Sequence, residues 1–316
     1  MKKVLKVIGI ILLVIILAVA LLFFIADRKA AYQNEHYYEN ASPAGEIEKK
    51  YTSMGPLDVS YVEYQAEGED FKKYEIWYPA EMESSEKQYP LVIMVNGTGV
   101  KASAYKEVFK HLASWGFIVA GNEDAASGDG VSSSKTLAIL LAQNEDETSL
   151  FHNHIDTQNI GIAGHSQGGA GTINAVTAQD YGNMYKAMWT ASAPHQELAE
   201  GFGWTYDVSK VSIPYMMVAG TGIADGGDGV EGSNNVGIAP LTSLQENFNA
   251  IPDDVTKVMA REKGKDHGDM LRYADGYMTA WFMYYLQDNE EAGTAFFGEN
   301  AEILTNPNWQ DVRVNG

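Results

Sequence analysis

Cysteine is absent from all 316 residues of the sequence. The chain therefore has no disulfide bonds, no thiolate metal ligands, no cysteine nucleophile and no N-terminal cysteine that could carry a lipid anchor. Positive charge is also scarce, because 22 Lys and Arg residues stand against 42 Asp and Glu residues, for a net charge of -20. Such a chain repels polyanions, so we expect no nucleic-acid partner.

One long stretch, from Val7 to Ala26, lacks charged and strongly polar side chains. A helix of about 20 apolar residues is long enough to span a bilayer. This length favours a retained transmembrane anchor, comprising residues 1–26, because the apolar region of a cleaved signal peptide is shorter. Lys2, Lys3 and Lys6 precede the stretch, so we predict a single-pass protein of the cell membrane with its main part outside the cytoplasm. Secretion after cleavage is the alternative.

The remaining sequence suggests a linker and one folded domain. Residues 27–56 are polar, rich in Glu, Asn, Lys and Tyr, and have no sustained period, which predicts a linker. Residues 57–316 have the length of one α/β domain with a full-sized core. A monomer is the default expectation.

Apolar runs and helical spacing alternate along this domain. Residues 58–64 and 72–78 alternate apolar and polar side chains around an acidic turn, which predicts an antiparallel hairpin at a sheet edge. Buried strands that alternate with helices predict a mostly parallel central sheet in a three-layer α/β/α sandwich. The predicted strands are 91–95, 117–120, 160–163, 187–191, 215–219 and 256–260, and the predicted helices are 105–115, 132–143, 170–178, 241–249 and 276–286.

A G-x-S-x-G motif, Gly164 to Gly168, lies between the strand 160–163 and the helix 170–178. This context is typical of a nucleophile elbow, a turn so sharp that side chains at the flanking positions would collide. Ser166, at the centre of the motif, is therefore the predicted nucleophile. An ordinary glycine-rich turn is the alternative interpretation.

A serine nucleophile needs a base, and in this type of site the chain order is serine, acid, histidine. The histidines that follow Ser166 are His195 and His267. His267 comes after the strand 256–260 and before the last long helix, which is where the base belongs in this order. We therefore predict His267 as the base and keep His195 as the alternative.

The loop after the strand 215–219 offers the acid. Asp225 is the first choice and Asp228 the second, because the glycines around them leave the path of the loop open. A calcium site formed by Asp225, Asp228 and Glu231 is a weaker hypothesis, because their spacing fits no standard loop.

Ester chemistry also requires hydrogen-bond donors for the developing oxyanion. The backbone amide of Gln167, directly after Ser166, is one predicted donor. The turn after the strand 91–95 offers the backbone amide of Thr98 as the second, although an ordinary turn would have the same residues. His152 and His154 have the spacing of a metal pair, but they lie in a polar stretch without carboxylate or cysteine partners. A solvated loop is therefore the favoured interpretation of this pair.

In this order, the motifs resemble the α/β-hydrolase superfamily, and within it the esterases related to dienelactone hydrolases and the bacterial cutinase-like polyester hydrolases. The resemblance covers residues 61–298. It implies a catalytic domain with a triad of Ser166, Asp225 and His267, with oxyanion donors at Thr98 and Gln167 and without a cofactor. The segments that carry it are 90–98, 112–119, 155–156 and 164–172.

Two positions differ from these families. Dienelactone hydrolases use a cysteine where this chain has Ser166, and polyester hydrolases place a tryptophan before a histidine where this chain has Pro194 before His195. The resemblance therefore implies cleavage of carboxylic esters through an acyl-enzyme, without implying that polyesters are substrates. No long lid insertion stands out in the sequence, which favours small or accessible esters. An inactive membrane-tethered binding or sensory protein and a cell-surface acyltransferase are the alternative functions.

Overall fold

The computed structural model describes residues 41–230 and 235–315 of the protein. The transmembrane anchor predicted over residues 1–26 lies outside these residues, as does Glu231 of the calcium hypothesis. None of the helices within 41–230 and 235–315 combines the length and the apolar character that crossing a membrane requires. The compact unit that contains the described residues starts at Ala41.

A central sheet of nine strands has the order β1-β2-β4-β3-β5-β6-β7-β8-β9. Every neighbouring pair from β4 to β8 is parallel, whereas β1 with β2, β2 with β4 and β8 with β9 are antiparallel. The predicted parallel sheet and its edge hairpin are thus confirmed. The strands are β1 Val59–Gln65, β2 Lys73–Pro79, β3 Tyr89–Val95, β4 Ile118–Asn122, β5 Ile155–His165, β6 Tyr185–Ala191, β7 Tyr215–Gly220, β8 Lys257–Glu262 and β9 Trp309–Asn315.

Helices cover both faces of this sheet. On one face, Phe109 of α2 (Lys106–Ser114) packs against Gly121, and Phe282 of α9 (Asp275–Gln287) packs against Gly161. A Cβ atom at either glycine would lie 2.7 Å from a ring carbon. On the other face, apolar side chains of α3, α4 and α7 join those of the central strands in the main core. The helices are α1 Glu46–Thr52, α2 Lys106–Ser114, α3 Val131–Glu145, α4 Gln167–Thr177, α5 Gln196–Gly201, α6 Ile223–Gly226, α7 Leu241–Ala250, α8 Met270–Tyr273, α9 Asp275–Gln287, α10 Glu290–Gly293 and α11 Glu302–Thr305.

Helix α1 lies within the segment 27–56, for which the sequence predicts a linker. Its amides at Ile47 and Glu48 donate to the Glu302 carboxylate at 2.7 and 2.9 Å. Glu48 is buried, and its carboxylate accepts a hydrogen bond of 2.7 Å from the indole of Trp309. These partners are more than 250 residues away in the chain. The contacts that hold the helix are therefore distant in the sequence, and helix α1 lies ahead of the predicted domain start at residue 57.

A buried carboxyl group at the end of β8 makes the stability of this fold depend on pH. Glu262 is 2% exposed. Burial, together with the charge of Glu48, raises the pKa of Glu262 to about 8. Because this pKa lies above that of an unfolded carboxyl group, the folded state binds more protons between the two values. The stabilisation is complete below the unfolded pKa and is lost as the pH rises through about 8.

We predict that Glu262→Gln, which stays uncharged, makes the protein more stable than the parent at pH 9 and weakens the loss of stability between pH 5 and 9. Urea unfolding at several pH values measures this. Glu299→Gln, which removes an exposed carboxylate, is the control and should keep the parent's pH dependence. An unchanged pH dependence in Glu262→Gln would contradict the assignment.

Candidate active site

Ser166 lies in the turn between β5 and α4, with φ 58° and ψ -127°. A residue other than glycine adopts such a conformation at a cost of about 1–3 kcal/mol. The flanking glycines make the turn possible. A Cβ atom at Gly164 would lie 2.1 Å from the carbonyl oxygen of Gly168, and one at Gly168 would lie 2.2 Å from that of Val95. The G-x-S-x-G motif therefore has the steric origin that the sequence indicates.

His267 follows β8 and begins a one-turn helix, His267–Asp269. Its Nε2 atom is 2.9 Å from the hydroxyl oxygen of Ser166, and its side chain is 18% exposed. At this distance an imidazole can accept the proton of a serine hydroxyl. His195 instead lies at the start of α5, where its Nδ1 atom accepts the backbone N–H of Leu198.

Asp225 lies in the short helix α6, just after β7, and its side chain is fully buried. Its Oδ1 atom is 2.7 Å from Nδ1 of His267. Its Oδ2 atom accepts hydrogen bonds from the hydroxyl of Ser192 at 2.6 Å and from the amide of Gly220 at 2.7 Å. Both carboxylate oxygens are therefore satisfied, which offsets the cost of burying the charge. The structure thus brings Ser166, His267 and Asp225 together.

Asp228, the alternative acid, lies on an exposed part of the same loop and accepts the backbone N–H of Val230 at 3.0 Å. Its carboxylate is used in this local turn. Across residues 41–230 and 235–315, His, Cys, Asp and Glu side chains form no group of three that is arranged to hold a metal ion.

The two predicted oxyanion donors lie at the ends of the neighbouring strands β3 and β5. Gln167 is the first residue of α4, and an amide in the first turn of a helix has no acceptor within that helix. Thr98 is exposed in the turn after β3. This turn packs against the elbow, since a Cβ atom at Gly97 would lie 3.4 Å from the carbonyl oxygen of His165. The amides of Thr98 and Gln167 therefore belong to adjoining segments.

His165, which directly precedes Ser166, also contacts His267. Its Nε2 atom lies 2.7 Å from the carbonyl oxygen of His267, and the two rings are 4.7 Å apart between centroids. Burial, together with the repulsion from His267 when that imidazole is protonated, lowers the pKa of His165 to about 4. His165 is therefore neutral at pH 7 and donates its Nε2–H to this carbonyl.

Sequence reasoning missed two residues that hold this arrangement. Ser192, directly after β6, donates to Asp225, and Asp266 accepts the backbone N–H groups of Ala224, Asp225 and His267 at 3.2, 3.0 and 2.9 Å. The position of Asp266 before His267 is visible in the sequence. Its contact with the Asp225 loop is not, because 41 positions separate the two residues in the chain.

An open depression of about 720 Å³ borders the Asp225 loop. Ile238 and Leu198 contribute apolar side chains to it, and His195 and Glu197 contribute polar ones. Val236, also in its wall, is 50% exposed. The depression thus presents an accessible, partly apolar surface on the Asp225 loop, and the residues that line it do not include Ser166 or His267.

Comparison with known proteins identifies the family. No curated protein matches the chain. A family model described as PET hydrolase-like matches residues 33–302, a range that includes the elbow, the Asp225 loop and His267. This match spans most of the chain and agrees with the α/β fold and with the resemblance to esterases. The chain therefore belongs to the PET hydrolase-like family, a family of polyester hydrolases within the α/β-hydrolase superfamily, and is by that membership an ester hydrolase.

Proposed function

We propose that the protein cleaves carboxylic esters through an acyl-enzyme on Ser166, with His267 as base and Asp225 as acid. The observation that carries this proposal is the continuous chain of contacts from the Ser166 hydroxyl to His267, at 2.9 Å, and from His267 to Asp225, at 2.7 Å. Membership of an ester hydrolase family supports the reaction class.

The first half of the reaction forms the acyl-enzyme. Nε2 of His267 takes the hydroxyl proton as the Ser166 oxygen attacks the ester carbonyl carbon. The backbone amides of Thr98 and Gln167 donate hydrogen bonds to the oxyanion of the tetrahedral intermediate. When the intermediate collapses, the bond to the alcohol breaks, and the alcohol leaves with the proton from His267. The acyl group remains as an ester on Ser166.

Water then takes the place of the alcohol. His267 removes a proton from the water as its oxygen attacks the acyl carbon, and the proton passes to the Ser166 oxygen as the carboxylic acid leaves. In both halves, Asp225 holds the imidazole in the tautomer with a proton on Nδ1 and stabilises the imidazolium that forms. Neither step requires a metal or an organic cofactor.

Small or accessible esters are the proposed substrates. Thr98 is exposed and the His267 side chain is 18% exposed, which suits a substrate that approaches the serine from solvent.

The sharpest test of the nucleophile is Ser166→Ala. We expect kcat to fall by at least about a thousandfold, because the hydroxyl that forms the acyl-enzyme is gone. Hydrolysis of a series of p-nitrophenyl esters of increasing acyl length, on the protein from residue 41 onwards, measures both the loss and the preferred chain length. Ser209→Ala is the matched control, since Ser209 donates its backbone N–H and its hydroxyl to Asp207, outside the site. Parent-level activity in Ser166→Ala would rule out Ser166 as the nucleophile.

The choice between the two acids is tested by Asp225→Asn and Asp228→Asn. We expect Asp225→Asn to lower kcat by about 10⁴-fold, because an amide at this position favours the wrong tautomer of the base. Asp228→Asn keeps the size of an exposed side chain and should stay close to the parent. Steady-state kinetics on a p-nitrophenyl ester separates the two. The reverse order of effects would assign the acid to Asp228.

We also propose that the apolar stretch Val7 to Ala26 anchors the protein in the cell membrane with its catalytic domain outside the cytoplasm. The full-length chain should stay in the membrane fraction after a carbonate wash, and protease added outside the cell should remove the domain. A chain that lacks residues 1–26 serves as the soluble control. Recovery of the full-length chain in the medium, shortened at its N-terminus, would instead show secretion after cleavage.

A further inference from the structure

We propose that Asp266 is a positioning residue that locks two loops together so that His267 stays aligned between Asp225 and Ser166. The acid loop, residues 221–228, carries Asp225, and the base loop, residues 263–269, carries His267. The inference rests on the proposed triad and adds to it a second carboxylate, which acts through the backbone of both loops.

The contacts of this carboxylate join the two loops directly. One oxygen of Asp266, Oδ1, accepts the backbone N–H of Asp225 at 3.0 Å and that of His267 at 2.9 Å. The other oxygen, Oδ2, accepts the backbone N–H of Ala224 at 3.2 Å. The main chains of the acid and of the base therefore converge on the same oxygen atom.

The charge of Asp266 fits this role. Burial alone would raise its pKa, but the hydrogen bonds from the amides of His267, Ala224 and Asp225, together with the attraction to His267 when that imidazole is protonated, hold the pKa below its usual value. The group is therefore an ionised acceptor at neutral pH, and hydrogen bonds to a charged acceptor are stronger than those to a neutral one.

Two glycines of β7 and the acid loop make the close approach possible. A Cβ atom at Gly222 would lie 2.4 Å from Cγ of Asp266, and one at Gly220 would lie 2.4 Å from the carbonyl oxygen of Lys265. The amide of Gly222 also donates to this Lys265 carbonyl at 2.8 Å. Any side chain at these positions would force the loops apart.

The backbone of Asp266 is itself held in place. Its amide donates to the carboxylate of Asp269 at 3.2 Å, and its carbonyl oxygen accepts the amide of Asp269 at 2.8 Å. The side chain therefore extends from a fixed point on the base loop. This reciprocal pair makes Asp266 a rigid link.

Alignment matters most in the transition state. A misplacement of about 1 Å in a catalytic group can reduce the rate by about a hundredfold. Because both oxygens of Asp266 are bonded to backbone amides, its loss should disturb the geometry of His267 and Asp225 and leave substrate binding largely unchanged. We therefore expect an effect on kcat and little effect on KM.

The kinetic test compares Asp266→Ala, Asp266→Asn and Asp207→Ala. We expect Asp266→Ala to lower kcat by about 30- to 100-fold with KM within about twofold of the parent. Asp266→Asn should recover part of this loss, because its amide oxygen can still accept the N–H groups of Asp225 and His267. Asp207 is the matched control, since it also caps a one-turn helix through a backbone amide, that of Ser209, at 3.0 Å. Asp207→Ala should keep the parent kcat.

A second readout does not depend on activity. The proton on Nδ1 of His267 lies between this nitrogen and Asp225. It should give a low-field proton NMR signal in the parent, and the absence of this signal in His267→Gln assigns it. In folded Asp266→Ala this signal should broaden or exchange faster with water, whereas Asp207→Ala should keep it unchanged. A merely structural role would lower the thermal stability and leave the signal of the folded protein intact.

The outcomes separate this inference from the proposed function. If the parent hydrolyses esters and Ser166→Ala does not, a parent-level kcat in Asp266→Ala overturns the role of Asp266 alone. If Ser166→Ala is as active as the parent, the proposed function fails, and the NMR signal then decides the role of Asp266. A signal as sharp in Asp266→Ala as in the parent overturns the inference in either case.

Discussion

The two hydrogen bonds of the His267 imidazole are the constraint on which the rest of the site depends. The Nδ1 atom lies 2.7 Å from Asp225 and the Nε2 atom 2.9 Å from Ser166. Three side chains that follow three different strands, β5, β7 and β8, must therefore meet at this ring. A parallel sheet satisfies this requirement, because the carboxyl ends of its strands lie at one edge. The fold therefore brings the groups to the same edge, and the loops fix the final distances between the three side chains.

The surroundings of this ring explain why a buried carboxylate is tolerated beside it. Asp225 has no exposed surface, yet each of its oxygens has a donor: His267 on one side, and Ser192 and Gly220 on the other. His165 is a neutral donor at pH 7, so it fixes the His267 backbone without adding a second positive charge. The negative charge of Asp225 thus remains directed at the imidazole, where in the proposed reaction it stabilises the cation that forms.

Local patterns predicted most of the fold and the serine. The sheet, its hairpin and the G-x-S-x-G elbow follow from runs of neighbouring residues, which a sequence displays directly. The roles of Ser192, Asp266 and helix α1 depend on partners that lie tens to hundreds of residues away. For the same reason the sequence ranks Asp225 before Asp228 without deciding between them. What separates them is burial, and burial is a property of the folded loop and not of its glycine-rich sequence.

Two of the strained residues lie directly after central strands. Ser166 and Ser192 both have positive φ angles, 58° and 51°, although neither is glycine. In each case the sheet holds the strained residue, because its amide donates to the next strand: Ser166 to the Ala191 carbonyl of β6 at 3.0 Å, and Ser192 to the Val218 carbonyl of β7 at 2.7 Å. The ladder thus extends into the turns and offsets a cost of about 1–3 kcal/mol per residue. One strained serine presents its hydroxyl to His267 and the other to Asp225, so the same device at adjacent strand ends supports both ends of the hydrogen-bonded chain.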